Sequence, residues 1–222
     1  SYIFRLQAAI LFLAAYSLGC KKFVSIQAPN TQLVTASVFA NDETATAAMT
    51  GVYGNMYGNY GFAGQTLKSI SLLAGLSADE FANYSTDAAQ TEFFTNELSK
   101  SNSDIDLYLW GQPYQDIYDA NAIIEGLNSS KTISNAVKQE LSGEAKFLRA
   151  FCYFYLVNSF GDVPLITTTN YRLNASSVRS PSSQVFQQII ADCKDAQGLL
   201  ATDYSLFAGE RTRPVKAAAT AL

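Results

Sequence analysis

The ionisable side chains limit the reactions that this protein can catalyse. The 222 residues contain no histidine, which excludes Ser-His-Asp and Cys-His nucleophilic machinery and zinc sites built on imidazole. The three cysteines, Cys20, Cys152 and Cys193, are too scattered for a zinc knuckle or a disulfide framework. Carboxylates are therefore the groups left for general acid–base chemistry.

Three carboxylate pairs lie close together in sequence: Asp104 with Asp106, Asp116 with Asp119, and Asp79 with Glu80. The first pair is expected in the first turn of a helix, where negative charge complements the helix dipole. The second pair is expected on the polar face of an amphipathic helix. The third pair begins a segment without periodicity, and it is interpreted as a ligand contact rather than as a catalyst.

That segment, residues 77–103, combines aromatic rings with carboxylate and amide side chains and shows no helical or strand period. Long irregular loops in compact domains are often functional. Sugar rings stack on aromatic faces, and their hydroxyls bind carboxylates and amides. The candidate ligand-binding residues are Asp79, Phe81, Asn83, Tyr84, Asp87 and Phe94.

Other aromatic residues nearby are expected to be structural. Tyr53 and Tyr57 are assigned to the core, and Phe93 or Phe94 is expected to pin the loop to the body.

The elements that position these residues are predicted to be helices. Asn41 and Asp42 can cap a helix, and a helical pattern of apolar residues follows them. The same kind of pattern occurs over 67–76, 103–127, 134–160 and 180–200, and another helix begins at Arg213-Pro214. Helix 134–160 is apolar nearly all round after Lys146, so we expect it to be buried on every side. The fold class is all-α, with only 163–168 readable as a strand.

Two features of the central helix carry specific expectations. Arg149 must be paired if it is buried, either with Glu144 or with a carboxylate elsewhere. Cys152 is expected to act as a small core hydrophobe, although a disulfide with Cys193 stays open.

The first residues are typical of an exported lipoprotein. An apolar run from Ala8 to Leu18 is too short to span a bilayer and predicts a signal peptide over 1–19. Cys20 follows directly and is the predicted site of lipid attachment, with 20–41 as a tether. Because the chain starts without methionine and stops inside an apolar run, we expect 42–222 to be part of a longer helical domain.

Composition and charge further narrow the class of protein to which this chain can belong. A hydrophobic fraction of 48% and a charged fraction of 15% exclude a disordered chain. A net charge of −4 without any basic run argues against nucleic acid as a partner.

One segment resembles a hallmark of the SusD/RagB family. Glu144-Ala145-Lys146-Phe147-Leu148-Arg149-Ala150, followed by an aromatic stretch and by Phe160-Gly161-Asp162-Val163-Pro164-Leu165, is similar to that family's motif. The flanking helices, with Trp110 to Glu125 before it and Arg213 to Ala219 after it, also resemble the family's.

The resemblance implies an N-terminal part of such a protein, with tetratricopeptide-like helix pairs and an irregular ligand-binding face. It also implies a non-enzymatic, lipid-anchored protein on the surface of the outer membrane. Such a protein captures oligosaccharides and delivers them to a SusC-like TonB-dependent transporter, without a cofactor. Two alternatives stay open: an exported all-α glycoside hydrolase and a tetratricopeptide-type scaffold for another protein.

Overall fold

The computed structural model describes residues 35–58, 62–64, 67–205, 209 and 211–222. The predicted signal peptide, Cys20 and most of the predicted tether lie outside these residues. Residues from Thr35 to Leu222 form one compact unit.

The unit is mostly helical, which confirms the all-α prediction. Its α-helices are α1 (Thr35–Val38), α2 (Asp42–Tyr57), α3 (Ile70–Ser77), α4 (Ala88–Thr95), α5 (Gln112–Ser129), α6 (Asn135–Phe160), α7 (Tyr171–Asn174), α8 (Ser182–Leu199) and α9 (Lys216–Ala221). A π-helix over Ile105–Gly111 precedes α5, and two short strands, β1 (Val163–Pro164) and β2 (Arg179–Ser180), pair antiparallel.

Helix α6 is the centre of the fold because it packs against both α5 and α8. The Ser134 hydroxyl caps it by accepting from the Val137 amide at 3.4 Å. Leu141, Leu148 and Tyr153 are almost completely buried along its length. The prediction of burial on every side is wrong, however: Phe147, Phe151, Phe154 and Tyr155 stay partly exposed.

Helix α2 packs on α5 and α6 through its apolar face. The Asn41 side chain caps it by accepting from the Thr44 amide at 2.9 Å. It ends at Tyr57, just before Gly58. Tyr53 is partly buried against the core, but Tyr57 is 62% exposed, so its assignment to the core is wrong.

Two buried ion pairs join α6 to distant parts of the chain. Arg149 pairs with Asp192 of α8 at 2.7 Å, so the predicted pairing is confirmed with a carboxylate elsewhere rather than with Glu144. Residues five apart point about 140° from each other around a helix, which turns Glu144 away from Arg149. Glu144 pairs instead with Arg213 at 3.0 Å.

The two ends of the connection between α6 and α8 are held together. Gly161 adopts a positive φ of 69°, which glycine tolerates without steric cost. The Asp162 carboxylate then accepts from the Ser182 amide and hydroxyl at the start of α8. Only Val163 and Pro164 of the predicted strand pair with another strand.

Cys152 and Cys193 are both free thiols, and Cys152 is completely buried. The interpretation of Cys152 as a core hydrophobe is confirmed, and burial raises the pKa of its thiol. In the part of the chain that the structure describes, no helix is long and apolar enough to cross a membrane.

Candidate functional site

The predicted irregular segment contains a helix that its sequence did not reveal. Helix α4 spans Ala88–Thr95, and the chain before it, from Ala82 to Asp87, is extended and irregular. This helix has only about two turns, which is too short for a helical period of apolar residues to be recognised in the sequence. Phe93 is buried with Leu73, Leu76 and Leu109, which confirms that one of the two phenylalanines pins this segment to the body.

The irregular part presents aromatic rings to solvent from a fixed backbone. Tyr84 is 94% exposed, and Phe81 is 46% exposed while its ring lies over Gly75. A Cβ at position 75 would lie 2.4 Å from that ring, so glycine is required for this contact. Phe94 is 39% exposed on the last turn of α4.

A side-chain turn holds Tyr84 in place. The Asn83 side-chain Oδ1 accepts from the Ser85 main-chain amide at 2.9 Å, and the Asn83 side-chain Nδ2 donates to the Thr91 hydroxyl at 3.3 Å. The Ser85 hydroxyl in turn accepts from the Asp87 amide at 3.1 Å. Such turns substitute for backbone hydrogen bonds, so the loop is ordered before any ligand binds.

Asp87 anchors the end of this turn with both carboxylate oxygens. One oxygen caps α4 by accepting from the Ala89 amide at 2.9 Å, and the other accepts from the Lys68 ammonium at 2.6 Å. The hydrogen bond from Lys68 lowers the pKa of the Asp87 carboxyl. Asp87 therefore remains an anion over a wide pH range and fixes the loop.

Lys68 joins Asp87 to the start of the π-helix. Its ammonium also lies 2.7 Å from Asp104, which is 2% exposed. The expectation that Asp104 sits in a helix's first turn to complement its dipole is incomplete, because the carboxylate is buried as a partner of a lysine. Sequence reasoning missed Lys68, since its two acidic partners lie 19 and 36 residues away.

The π-helix is the second unusual element beside the loop. The Asn102 side chain caps this element by accepting from the Asp104 and Ile105 amides. The Asn102 side-chain amide also donates to the Glu92 carboxylate of α4 at 2.7 Å. Helices of this type occur frequently at functional sites.

The other candidate carboxylates differ in exposure. Asp116 is completely buried rather than on a polar face, and one of its oxygens has no hydrogen-bond partner among the described residues. Burial raises the pKa of its carboxyl to about 7. Asp79 has a positive φ of 59° and, like Glu80, is exposed. No cluster of acidic or sulfur ligands that could hold a metal occurs in the described ranges.

Asn83, Tyr84 and Asp87 are thus brought together on one turn, with Phe81 and Asp79 on the chain that leads into it. A family model described as starch-binding and associating with the outer membrane, of the SusD-like group, matches residues 34–222. The chain belongs to the SusD-like family.

Curated SusD-like relatives match across most of the chain. SusD-like protein P2 of Formosa agariphila is 31% identical over 196 residues, covering 85% of this chain and 36% of its own. SusD-like protein P25 of the same organism is 24% identical over 209 residues, covering 87% and 37%. The chain therefore spans just over a third of the length of these relatives.

Solved structures agree on the fold. A laminarin-binding SusD-like protein superposes with a TM-score of 0.66 at 25% identity, covering 82% of this chain and 38% of its own. A SusD superfamily protein from Bacteroides vulgatus gives a TM-score of 0.68 at 23% identity, with the same coverage.

Proposed function

We propose that the protein captures oligosaccharides without hydrolysing them, at the exposed turn around Tyr84. The observation that carries this proposal is the combination of a 94% exposed aromatic ring with a backbone already fixed by Asn83, Asp87 and Lys68. When the flat, partly apolar face of a ligand covers an exposed ring, apolar surface is removed from water, and this favours binding. The laminarin-binding name of one similar structure supports a glycan as the ligand class.

The turn assigns distinct roles to the candidate residues. Tyr84 is the stacking ring, and Phe81 and Phe94 extend the aromatic surface. Asp79 is the proposed partner of sugar hydroxyls. Asn83 is the second proposed partner, through the Oδ1 lone pair and the Nδ2 hydrogen that its bonds to Ser85 and Thr91 leave over. Asp87, with both oxygens engaged, positions the turn.

One stacked ring and two hydrogen bonds contribute only a few kcal/mol after the ordering of the ligand. We expect a dissociation constant between about 1 µM and 1 mM. Weak binding suits a protein that passes its cargo to a SusC-like TonB-dependent transporter, the partner that we propose for it.

Calorimetry of the full-length protein against a panel of glycans tests the ligand site. Tyr84→Ala should weaken binding at least about fivefold, equivalent to about 1 kcal/mol. Tyr171→Ala is the matched control, because Tyr171 is 72% exposed on a different segment, in α7. Equal affinities of wild type and Tyr84→Ala, or release of shorter sugars by purified protein, would count against the proposal.

We further propose that Cys20 is lipid-modified and holds the protein on the outer membrane, facing outward. A single acyl chain binds membranes weakly, whereas several chains hold durably. Cys20→Ser should move the protein from the membrane fraction to the soluble fraction, and Cys193→Ser should not. A variant that stays with the membrane would exclude this anchor.

A further inference from the structure

A polar cleft lies between the second half of α5, the first half of α6 and the end of α8. Its volume is about 440 Å³, which is within the usual range for sites that bind small ligands. Two partly exposed aliphatic side chains, Ile124 and Leu199, line it. The other side chains that line it are polar: Asn128, Asn135, Lys138, Gln139, Ser142 and Lys146.

The walls of this cleft are set by helix packing rather than by a loop. Positions 135, 138, 139, 142 and 146 of α6 follow the three- and four-residue spacing that aligns side chains on one face of a helix. The Asp42 carboxylate accepts from the Ser134 amide at 2.7 Å, which fixes the chain where α6 begins. A Cβ at Gly143 would lie 3.0 Å from the Leu199 Cβ, so the end of α8 closely approaches α6. The polar face of α6 is therefore held in place before any ligand binds.

The polar groups of the cleft are not used to hold the protein together. Within the described part of the chain, no hydrogen bond or ion pair is formed by the side chains of Asn128, Asn135, Lys138, Gln139 and Ser142. The Tyr84 turn differs, because Asp87 there is engaged with Lys68. Water bonds the donors and acceptors of the cleft until a ligand replaces it, and that ligand must offer hydrogen-bonding groups in return.

The cleft also carries a positive charge that the protein does not compensate. None of the described side chains that line it is a carboxylate. The Lys146 ammonium pairs with Asp195 of α8, whereas Lys138 has no acidic partner among the described residues. An anionic group beside Lys138 gains a charge-assisted hydrogen bond, which is stronger than a bond between neutral groups. The cleft therefore favours a polar ligand with one negative charge.

We infer that this cleft binds an acidic sugar residue, whose carboxylate or sulfate group pairs with Lys138. The side-chain amides on both walls can donate and accept, so they match the hydroxyls of a sugar. The two aliphatic side chains contact the apolar C–H face of the sugar ring. The inference rests on the proposed function for the class of ligand, a saccharide, but it adds a second site.

This second site is remote from the Tyr84 turn. The turn is joined through Lys68 to Asp104, just before the π-helix that leads into α5. The cleft adjoins the other end of α5, and the rise of that helix from Gln112 to Asn128 is about 24 Å. A single sugar residue is too small to contact both sites.

A matched pair of glycosides tests the assignment in the full-length protein. Methyl glucuronide carries a carboxylate where methyl glucoside carries a hydroxymethyl group, and saturation-transfer NMR titrations at constant ionic strength measure both affinities. The wild type should bind the glucuronide about tenfold more tightly, because of the charge-assisted hydrogen bond to Lys138. Lys138→Gln should reduce this preference to about twofold or less, since the neutral amide removes the charge.

Lys194→Gln is the matched control, because Lys194 is exposed on α8 and does not line the cleft, so the preference should be kept. A neutral glycan that binds at the Tyr84 turn should not displace the glucuronide when it is added at saturation. The Lys138 comparison needs no ligand at that turn, so a failure of the proposed function is seen separately, with Tyr84→Ala.

Several results would overturn the inference. Equal binding of the two glycosides, or binding of neither, would show that the cleft does not recognise an acidic sugar. A preference that survives Lys138→Gln, or that Lys194→Gln abolishes, would separate it from this cleft. Displacement of the glucuronide by the neutral glycan would place it at the Tyr84 turn, and displacement by an equal concentration of sodium sulfate would show a site for simple anions.

Discussion

Arg149 and Asp192 face each other across the contact between α6 and α8 in a two-point ion pair. The Arg149 Nε and Nη2 atoms lie 2.9 Å and 2.7 Å from the two carboxylate oxygens. Nη1 donates to the Asn121 side chain of α5 at 2.6 Å, so one guanidinium ties together three helices. Both charged residues are almost completely buried.

Removing one partner of this pair should destabilise the protein strongly. Asp192→Ala leaves the Arg149 charge buried without compensation, and we expect the free energy of unfolding to fall by about 3–5 kcal/mol. Lys146–Asp195 joins the same two helices on the exposed surface, so Asp195→Ala should cost less than about 1 kcal/mol. Denaturant unfolding of the full-length variants measures both. Equal losses would show that burial of the pair has no energetic consequence.

Leu148 tests the packing of the central helix. It is 2% exposed, and Leu148→Ala should lower the free energy of unfolding by about 2–5 kcal/mol, since the cavity left behind adds to the lost transfer energy. Leu173→Ala is the control, because that side chain is 60% exposed and its removal should cost less than about 0.5 kcal/mol. A small loss at Leu148 would contradict the packing of α6.

Lys68 should control the Tyr84 turn without touching the ligand. Lys68→Met removes the cation between Asp87 and Asp104, so the pKa of Asp87 should rise and the turn should loosen. NMR titration of the Asp87 carboxyl and glycan calorimetry measure the two effects. We expect affinity to fall about threefold to tenfold, corresponding to about 0.7–1.4 kcal/mol.

Lys68→Arg supplies the control for charge, and it should restore most of the affinity and keep the pKa of Asp87 low. An Asp87 pKa that rises while affinity stays constant would show that the turn does not depend on Lys68. It would leave the Tyr84 site itself to be tested by Tyr84→Ala.

Asp116 should make stability depend on pH. Its pKa is raised by burial from 3.8 to about 7, so the folded protein binds one more proton than the unfolded chain between those values. Stability should therefore decrease as pH rises from about 4 to about 7, by on the order of 2–4 kcal/mol at this group. Asp116→Asn should remove this group's share of the dependence and leave that of Glu144, whose pKa burial also raises to about 7, whereas the same exchange at exposed Asp106 should change neither. Thermal unfolding across this pH range gives the comparison.

Local signals in the sequence predicted the elements of this fold well. The caps at Asn41 and Ser134 and the breaker at Gly161 each act within a few residues, so they can be recognised without the structure. The burial of Asp104 and Asp116 could not be predicted in this way, because it depends on which distant segments pack over them. A carboxylate on an apparently polar helix face is read as exposed until its neighbours are known.

The same distinction between local signals and long-range contacts applies to the candidate site. Tyr84 was selected from a segment without a period, and its ring is 94% exposed in the structure. Its use in glycan binding remains a prediction. The clamp of Lys68 on Asp87 and Asp104 joins three segments that are far apart in sequence, and no local pattern marks the lysine as special.

The chain after β1 is held by its main-chain carbonyls. The Tyr114 hydroxyl donates to the Pro164 carbonyl at 2.8 Å. The Tyr153 hydroxyl donates to the Ile166 carbonyl at 2.9 Å, and the Asn121 side-chain amide donates to the same oxygen at 3.2 Å. Main-chain carbonyls are present whatever the side chain. The anchoring itself therefore places few demands on residue type, but Leu165 and Ile166 also pack against the core. A protein engineer can exchange the exposed Thr167 while the path of the loop is kept.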